Sequence, residues 1–236
     1  VATAQFADSV RTALRAGVDA VVCGAGLPKD LPAIAAEVPE SSAALAPIVS
    51  SGRAAALLCK LWEKKYRRLP DFLVLEGPLA GGHLGFSGEE AREAQAGRPK
   101  SLSALLREVL EALVPFRERQ EIPVFVAGGV RNGGEMRRYM EEGAAGAQFA
   151  TRFIATEECD AAPACKQVLL QAGAEDIVIV RSPVGMPGRA IRSPLIQRVE
   201  AGTQPRPDRC IGCLIPCGRQ EAPYCISQAL IAAVRR

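Results

Sequence analysis

Phe72-Leu73-Val74-Leu75-Glu76-Gly77-Pro78-Leu79-Ala80-Gly81-Gly82-His83-Leu84-Gly85 opens on an apolar run and breaks into glycines and a histidine. The run is β-rich and does not alternate, so both its faces are expected to be covered, as in a parallel strand. Four further runs share this character: Ala20-Val21-Val22-Cys23, Pro47-Ile48-Val49, Val124-Phe125-Val126-Ala127 and Ala147-Gln148-Phe149-Ala150. Helical patterns lie between them. Over residues 101–118, Leu102, Leu105, Leu106, Val109, Leu110 and Leu113 repeat on one face behind a Ser101 cap. Residues 5–16, 53–68 and 134–142 also read as helix, with Gly17 and Gly143 closing the first and last. Strands thus start near 20, 46, 72, 124 and 147, mostly one β/α unit apart. The pattern predicts an α/β fold of five β/α units, the repeat of a TIM (β/α)8 barrel. Eight units close such a barrel, so either the sheet is open or further strands lie outside this chain. Two open apolar edges would favour self-association into a homo-oligomer.

The 236 residues suffice for a sizeable core, and 48% hydrophobic with 23% charged residues is ordinary for a globular protein. The net charge of +3 is scattered, with no basic stripe interleaved with aromatics, which argues against nucleic acid as a partner. No apolar run approaches the roughly 20 residues of a membrane helix, and Val1-Ala2-Thr3-Ala4-Gln5-Phe6 does not read as a signal peptide. Eight cysteines in a chain this long point to reduced thiols and a cytoplasmic setting rather than a disulfide scaffold.

The stretch between the third and fourth strands is about twice the usual length, and its surplus falls in residues 79–100. Loops after strand C-termini carry the chemistry in β/α folds. The chain's single histidine, His83, lies there behind Gly81-Gly82, which let backbone approach a planar ligand. Imidazole titrates near neutrality and can remove a weakly acidic C–H proton. The bland alternative is that the glycines only shape a turn. Ala127-Gly128-Gly129-Val130-Arg131-Asn132-Gly133-Gly134 joins the next strand to a helix, and Gln148-Phe149-Ala150-Thr151-Arg152-Phe153 ends the strand after that. Glycine-exposed amides and a helix N-terminus favour an anion. Two such consecutive strand ends read as a phosphate grip for a nucleotide-like cofactor, although each alone is also a common turn.

In order and spacing, these three segments resemble the nitronate monooxygenase (2-nitropropane dioxygenase) family and the related flavin-type enoyl-acyl-carrier-protein reductases. Cys23-Gly24-Ala25-Gly26-Leu27-Pro28 and Ser182-Pro183-Val184-Gly185-Met186-Pro187-Gly188-Arg189 extend the resemblance over essentially the whole chain. The resemblance implies an FMN-dependent oxidoreductase that oxidises alkyl nitronates or nitroalkanes with O2. It implies His83 as catalytic base, Glu76 beside the flavin ring where the family often has Gln, and Gly81 near the flavin. Gly128, Gly129, Gln148, Phe149, Ala150 and Thr151 would hold the phosphate end; Ala150 stands where the family commonly has Gly. Family members begin with three further strands, so by this resemblance the chain starts at the end of the third. Residues 1–200 would be a partial FMN-binding barrel domain, and residues 201–236 a Cys-rich tail with a packed helix over 226–235.

Two other functions fit the same motifs: an NAD(P)H-dependent FMN enoyl-thioester or quinone reductase, and a phosphate-binding barrel or partner subunit without redox function. Cys210-x2-Cys213-x3-Cys217-x7-Cys225 has spacing that could ligate zinc or an iron–sulfur cluster, or could be reduced thiols packing the terminal helix. Trp62 and Tyr66 are expected to pack a helix on the sheet. Lys64, Lys65, Arg67 and Arg68 are expected to form a solvated face, and Arg189 and Arg192 could meet an anionic substrate.

Overall fold

The structure, a computed structural model, describes residues 1–204, 210–215, 217 and 222–234. In chain order its first half runs α1 (Phe6–Arg15), β1 (Ala20–Cys23), α2 (Leu31–Ala36), β2 (Ala44–Val49), α3 (Gly52–Tyr66), β3 (Leu73–Glu76), β4 (Gly82–His83), α4 (Gly88–Gln95) and α5 (Leu102–Leu113). The second half runs β5 (Val124–Ala127), α6 (Gly133–Glu141), β6 (Gly146–Gln148), α7 (Thr151–Ile154), α8 (Pro163–Gln171), β7 (Ile177–Arg181), β8 (Pro187–Ile191), α9 (Pro194–Glu200) and α10 (Ile226–Val234). These elements fall into two compact units.

The first unit holds Thr3–Pro78 and Lys100–Gln148. Its five strands are all parallel, in the order β1-β2-β3-β5-β6. Each expected strand is present, and each expected helix lies within a few residues of its reading. The central strand β3 buries Leu73, Val74 and Leu75, as a continuous apolar run requires. The run that forms β1 departs from that expectation: it is an edge strand, and its Val22 is 44% exposed.

Helices α3 and α5 pack together over the sheet. Ala55, Leu58, Cys59 and Trp62 of α3 are fully buried, as are Leu105, Leu106 and Val109 of α5 to within 1%. Each buried leucine of this kind is worth about 1.5–3 kcal/mol of transfer free energy. Contact is close because Gly52 has no side chain; a Cβ there would lie 2.5 Å from the Glu108 carbonyl oxygen. The Trp62 indole N–H donates to the Pro28 carbonyl at 3.2 Å, so its one polar atom is satisfied inside the core. Tyr66 does not share that burial: its hydroxyl donates to exposed Asp30 at 2.6 Å. The basic run is a solvated face held by ion pairs, Lys65 to Asp30 at 2.8 Å and Arg68 to Asp71 at 2.7 Å. Gly143 closes α6 with φ +105° as expected, while α3 is closed by Arg67 in the left-handed region at φ 55°.

The second unit holds Leu79–Pro99 and Phe149 onward. It contains an antiparallel sheet, β4-β8-β7, that the sequence reading did not anticipate. Val178, Val180 and Ile196 form its small core with Ala190 against them. The long stretch after β3 is therefore not only a loop. It supplies β4 and then α4, whose N-terminus is a capping box of Ser87 and Glu90.

Candidate functional site

In the first unit, three strand ends converge in register. Glu76 at the end of β3 is the cross-strand neighbour of Ala127 at the end of β5, and Ala127 is the neighbour of Gln148 at the end of β6. Glu76, half-buried, and Gln148, exposed, therefore flank Ala127 in one row at the C-terminal edge of the sheet. The chain then turns on Gly128 (φ +80°) and Gly129 (φ +99°), conformations that L side chains rarely adopt. The β3 and β5 ends are pinned together by Gly77, whose N–H donates to the Ala127 carbonyl at 2.8 Å. A Cβ on Gly77 would lie 2.8 Å from the Gly128 carbonyl oxygen, so this approach requires glycine. Successive backbone amides in such a turn suit the phosphate of a nucleotide-like cofactor.

The α6 N-terminus contributes less to an anion site than the sequence suggests. Its first-turn amide on Glu135 is taken by the Asn132 side chain at 2.9 Å. The Glu135 carboxylate accepts the Arg131 backbone N–H at 2.7 Å and pairs with the Arg131 guanidinium at 2.6 Å. Hydrogen bonds from Arg131 hold that carboxyl below the usual carboxylate range. These bonds already occupy the Glu135 amide and the Arg131 N–H at this turn.

In the second unit, Phe149, Ala150 and Thr151 lead into the single turn of α7. Ala150 occupies the N-cap with no side-chain bond, and Phe149 meets Phe153 edge-to-face at 6.5 Å. Gly81 is exposed, with nothing within 4 Å of where a Cβ would stand. His83 lies in β4 opposite Gly188 of β8. Its Nε2 is buried and has no partner among the described residues. Burial pushes the imidazole pKa down, which keeps the ring neutral at pH 7. A neutral imidazole with a bare ring nitrogen is what a proton abstraction needs.

Arg189 follows Gly188 in β8 and donates to the Leu79 carbonyl at 3.2 Å, while burial lowers its pKa. Arg192 pairs with Glu200 at 3.1 Å. Gly188 stands opposite this histidine, and Ser182 lies 3.7 Å (Cβ) from where a Gly188 Cβ would stand; reading the residues one by one did not single them out. Their only sequence signal was membership of the Ser182–Arg189 segment.

The cysteines are free thiols. Burial and then the neighbouring Cys213, Cys210 and Cys225 raise the Cys217 pKa, so the four lie near one another. The Ser227 hydroxyl donates to the Cys213 Sγ at 3.2 Å. Among the described residues, however, no group of three or more His, Cys, Asp or Glu side chains is placed to hold a metal ion. The zinc or iron–sulfur reading of Cys210, Cys213, Cys217 and Cys225 therefore has no geometric support. Likewise, among the described residues no helix is long and apolar enough to cross a membrane.

Parallel β/α units with glycine-rich strand ends and a neutral histidine define an α/β protein of TIM-barrel type. The particular family is plain from comparison: residues 1–214 match nitronate monooxygenase, and the chain belongs to that family. A "(3aS,4S,5R,7aS)-5-hydroxy-7a-methyl-1-oxo-octahydro-1H-indene-4-carboxyl-CoA dehydrogenase" of Mycobacterium tuberculosis is 32% identical over 136 residues, 58% of this chain and 34% of the relative. A probable nitronate monooxygenase of Staphylococcus saprophyticus is 30% identical over 139 residues, 58% of this chain and 36% of the relative. The FabK structure from Thermotoga maritima superposes with a TM-score of 0.64 at 25% identity, covering 84% of this chain and 54% of that one. A nitroalkane oxidase from Streptomyces ansochromogenes shares the fold, with a TM-score of 0.62 at 24% identity over 83% of this chain and 51% of that one. The chain thus spans about a third of the curated relatives and about half of the solved chains.

Proposed function

We propose that the protein is an FMN-dependent oxidoreductase that oxidises nitroalkanes or alkyl nitronates with O2. The observation that carries this reading is His83, whose buried Nε2, without a partner among the described residues, stands on a strand behind two glycines in a nitronate monooxygenase-family chain. In the first unit, the row Glu76–Ala127–Gln148 and the turn at Gly128 and Gly129 support a flavin nucleotide in this proposal; for Gly81, Phe149, Ala150 and Thr151 of the second unit the support is the family resemblance alone. FMN supplies the electron acceptor when bound. The chain's own residues handle the proton: His83 Nε2 takes the α-proton of a neutral nitroalkane, and the C–H pair moves into a C=N bond as charge develops on the nitro oxygens. A nitronate arrives already deprotonated and needs only to be held.

Replacing His83 with Ala should therefore abolish turnover of neutral nitroethane and retain turnover of ethyl nitronate, followed as oxygen consumption by the flavin-loaded protein. Unchanged nitroethane turnover would rule out the base role.

A second reading draws on two comparisons. One relative is named a carboxyl-CoA dehydrogenase and a similar structure is FabK; the first name favours a CoA thioester as substrate, and in this reading NAD(P)H would be the reductant. Anaerobic bleaching of bound flavin by NADH, but not by a nitronate, would select it. Purified protein without flavin absorbance would defeat both readings and favour a role without redox chemistry.

A further inference from the structure

Ser182 is a buried polar residue of the second unit, 1% exposed, and its Oγ has no partner among the described residues. It directly follows β7 at the hairpin to β8, where its own N–H donates to the Met186 carbonyl at 2.9 Å. The backbone is thus satisfied while the hydroxyl is not. A buried hydroxyl left without a partner is costly, and such groups mark places where something else completes the bond.

The register shows what lies beside it. His83, Gly188 and Val180 are successive cross-strand neighbours in β4, β8 and β7, so their side-chain positions share one face of the sheet. Ser182 lies two residues beyond Val180 and returns to that face. A Cβ at Gly188 would stand 3.7 Å from the Ser182 Cβ. Gly188 therefore places no side chain between the His83 and Val180 positions of that face, and Ser182 follows next along it. The two side chains do not bond each other: both His83 Nε2 and Ser182 Oγ are buried without partners among the described residues.

We propose that Ser182 is a substrate-contacting residue. Its hydroxyl and the His83 imidazole form a two-point site, across Gly188, for the oxygens and α-carbon of a small planar nitro compound. This inference rests on the nitroalkane reading and deepens it. As His83 Nε2 accepts the α-proton, the negative charge that appears on a nitro oxygen is met by the Ser182 O–H. That hydrogen bond strengthens as the charge develops, so it favours the transition state over the neutral substrate.

The test uses flavin-loaded protein and propionate, a carboxylate isosteric with ethyl nitronate that the flavin does not oxidise. The His83 imidazole 15N resonances, assigned by their loss in His83→Gln, are followed through a propionate titration. Propionate should shift them in the wild type, and Ser182→Ala should weaken its affinity about tenfold or more, with about a 10–100-fold loss of kcat/KM on nitroethane, the range for a hydrogen bond to a charged group. Ser182→Thr restores the hydroxyl and should recover affinity. If the alanine variant does not fold, Ser182→Cys keeps the shape of the side chain, slightly enlarged, with a weak donor and should show the same direction of change. Propionate affinity and nitroethane kcat/KM unchanged in these variants, with only a lower melting temperature, would assign Ser182 to a structural water and overturn the inference. A protein that does not oxidise nitro compounds yet binds propionate in a Ser182-dependent way would uphold the two-point site while defeating the nitroalkane reading.

Discussion

Gly77→Ala tests the convergence of strand ends on which the cofactor proposal depends. The added methyl would meet the Gly128 carbonyl oxygen at 2.8 Å, Leu102 Cδ1 at 3.1 Å and the Ala127 carbonyl oxygen at 3.2 Å. The leucine tip can yield, but the two backbone oxygens belong to the β5 end and cannot move alone. Forced overpacking of this kind costs roughly 1–3 kcal/mol. Moving the β5 end away also weakens the Gly77 N–H to Ala127 carbonyl bond, a further ~1 kcal/mol. The expected loss is about 2–4 kcal/mol, which for a chain of this size lowers the melting temperature by roughly 4–16 °C. Displacing Gly128 should also weaken FMN affinity. Gly81→Ala is the control for stability without FMN: its Cβ meets nothing within 4 Å, and the change should stay within about 0.5 kcal/mol. Thermal melts by circular dichroism, with and without FMN, read both effects. A Gly77→Ala protein that melts within about 1 °C of the wild type would refute the close approach of β3 to β5.

Arg67→Gly should stabilise the protein by about 0.5–1 kcal/mol in denaturant titration, because Arg67 closes α3 at φ 55° with an exposed side chain; a destabilised variant would mean that the Arg67 side chain matters more than its backbone. Native-state alkylation should label exposed Cys210 early and leave Cys59 untouched, since Cys59 is fully buried and its thiol is pushed up to about 12 by burial first and by Glu63 second; early labelling of Cys59 by mass spectrometry would contradict that packing. His83 contributes a pH term of definite sign. Its folded pKa is depressed, so the unfolded state binds its proton first, and stability should fall as pH drops from about 6.5 through the folded value. Comparison with His83→Gln isolates the term, and identical acid limbs for the two proteins would refute the burial of Nε2.

The parallel half of the fold was legible because local signals agreed. Runs such as Phe72–Leu75 are continuous and apolar, α5 repeats its leucines on one face, and Ser101 caps it as expected, accepting from Ala104 N at 3.1 Å. The antiparallel sheet was not legible for a reason of the same kind. β4 is two residues long and one of them is glycine, and Pro187-Gly188-Arg189 in β8 carries little β propensity. Their pairing is stabilised by backbone bonds between segments about a hundred residues apart, which no window along the chain can sense. Arg67 illustrates the opposite limit: no residue-type preference would place arginine in the left-handed position that ends α3. The four clustered cysteines were legible as a group, but spacing alone did not fix whether their sulfurs converge.

That long-range pairing determines what His83 is. A histidine on a glycine-rich turn would sit in water, titrate near its ordinary value and move freely. Here β4 is held on β8, and the Leu84 N–H donates to the Pro187 carbonyl at 2.9 Å, so the ring's backbone is fixed on a sheet rather than a loop. Desolvation, with no charged partner contributing, lowers the pKa. The environment therefore selects neutral imidazole without a carboxylate to orient it, unlike a hydrolytic triad. Orientation must come from packing, and the residue directly across is Gly188. A side chain there would meet Gly82, Val180 and Ser182 at ordinary contact distances of 3.6–3.7 Å and would stand between the His83 and Val180 positions of the sheet face. Gly188→Ala should accordingly leave stability nearly unchanged while reducing kcat/KM on nitroethane, and a loss of stability without a loss of activity would show that the absence of a side chain there has no part in catalysis.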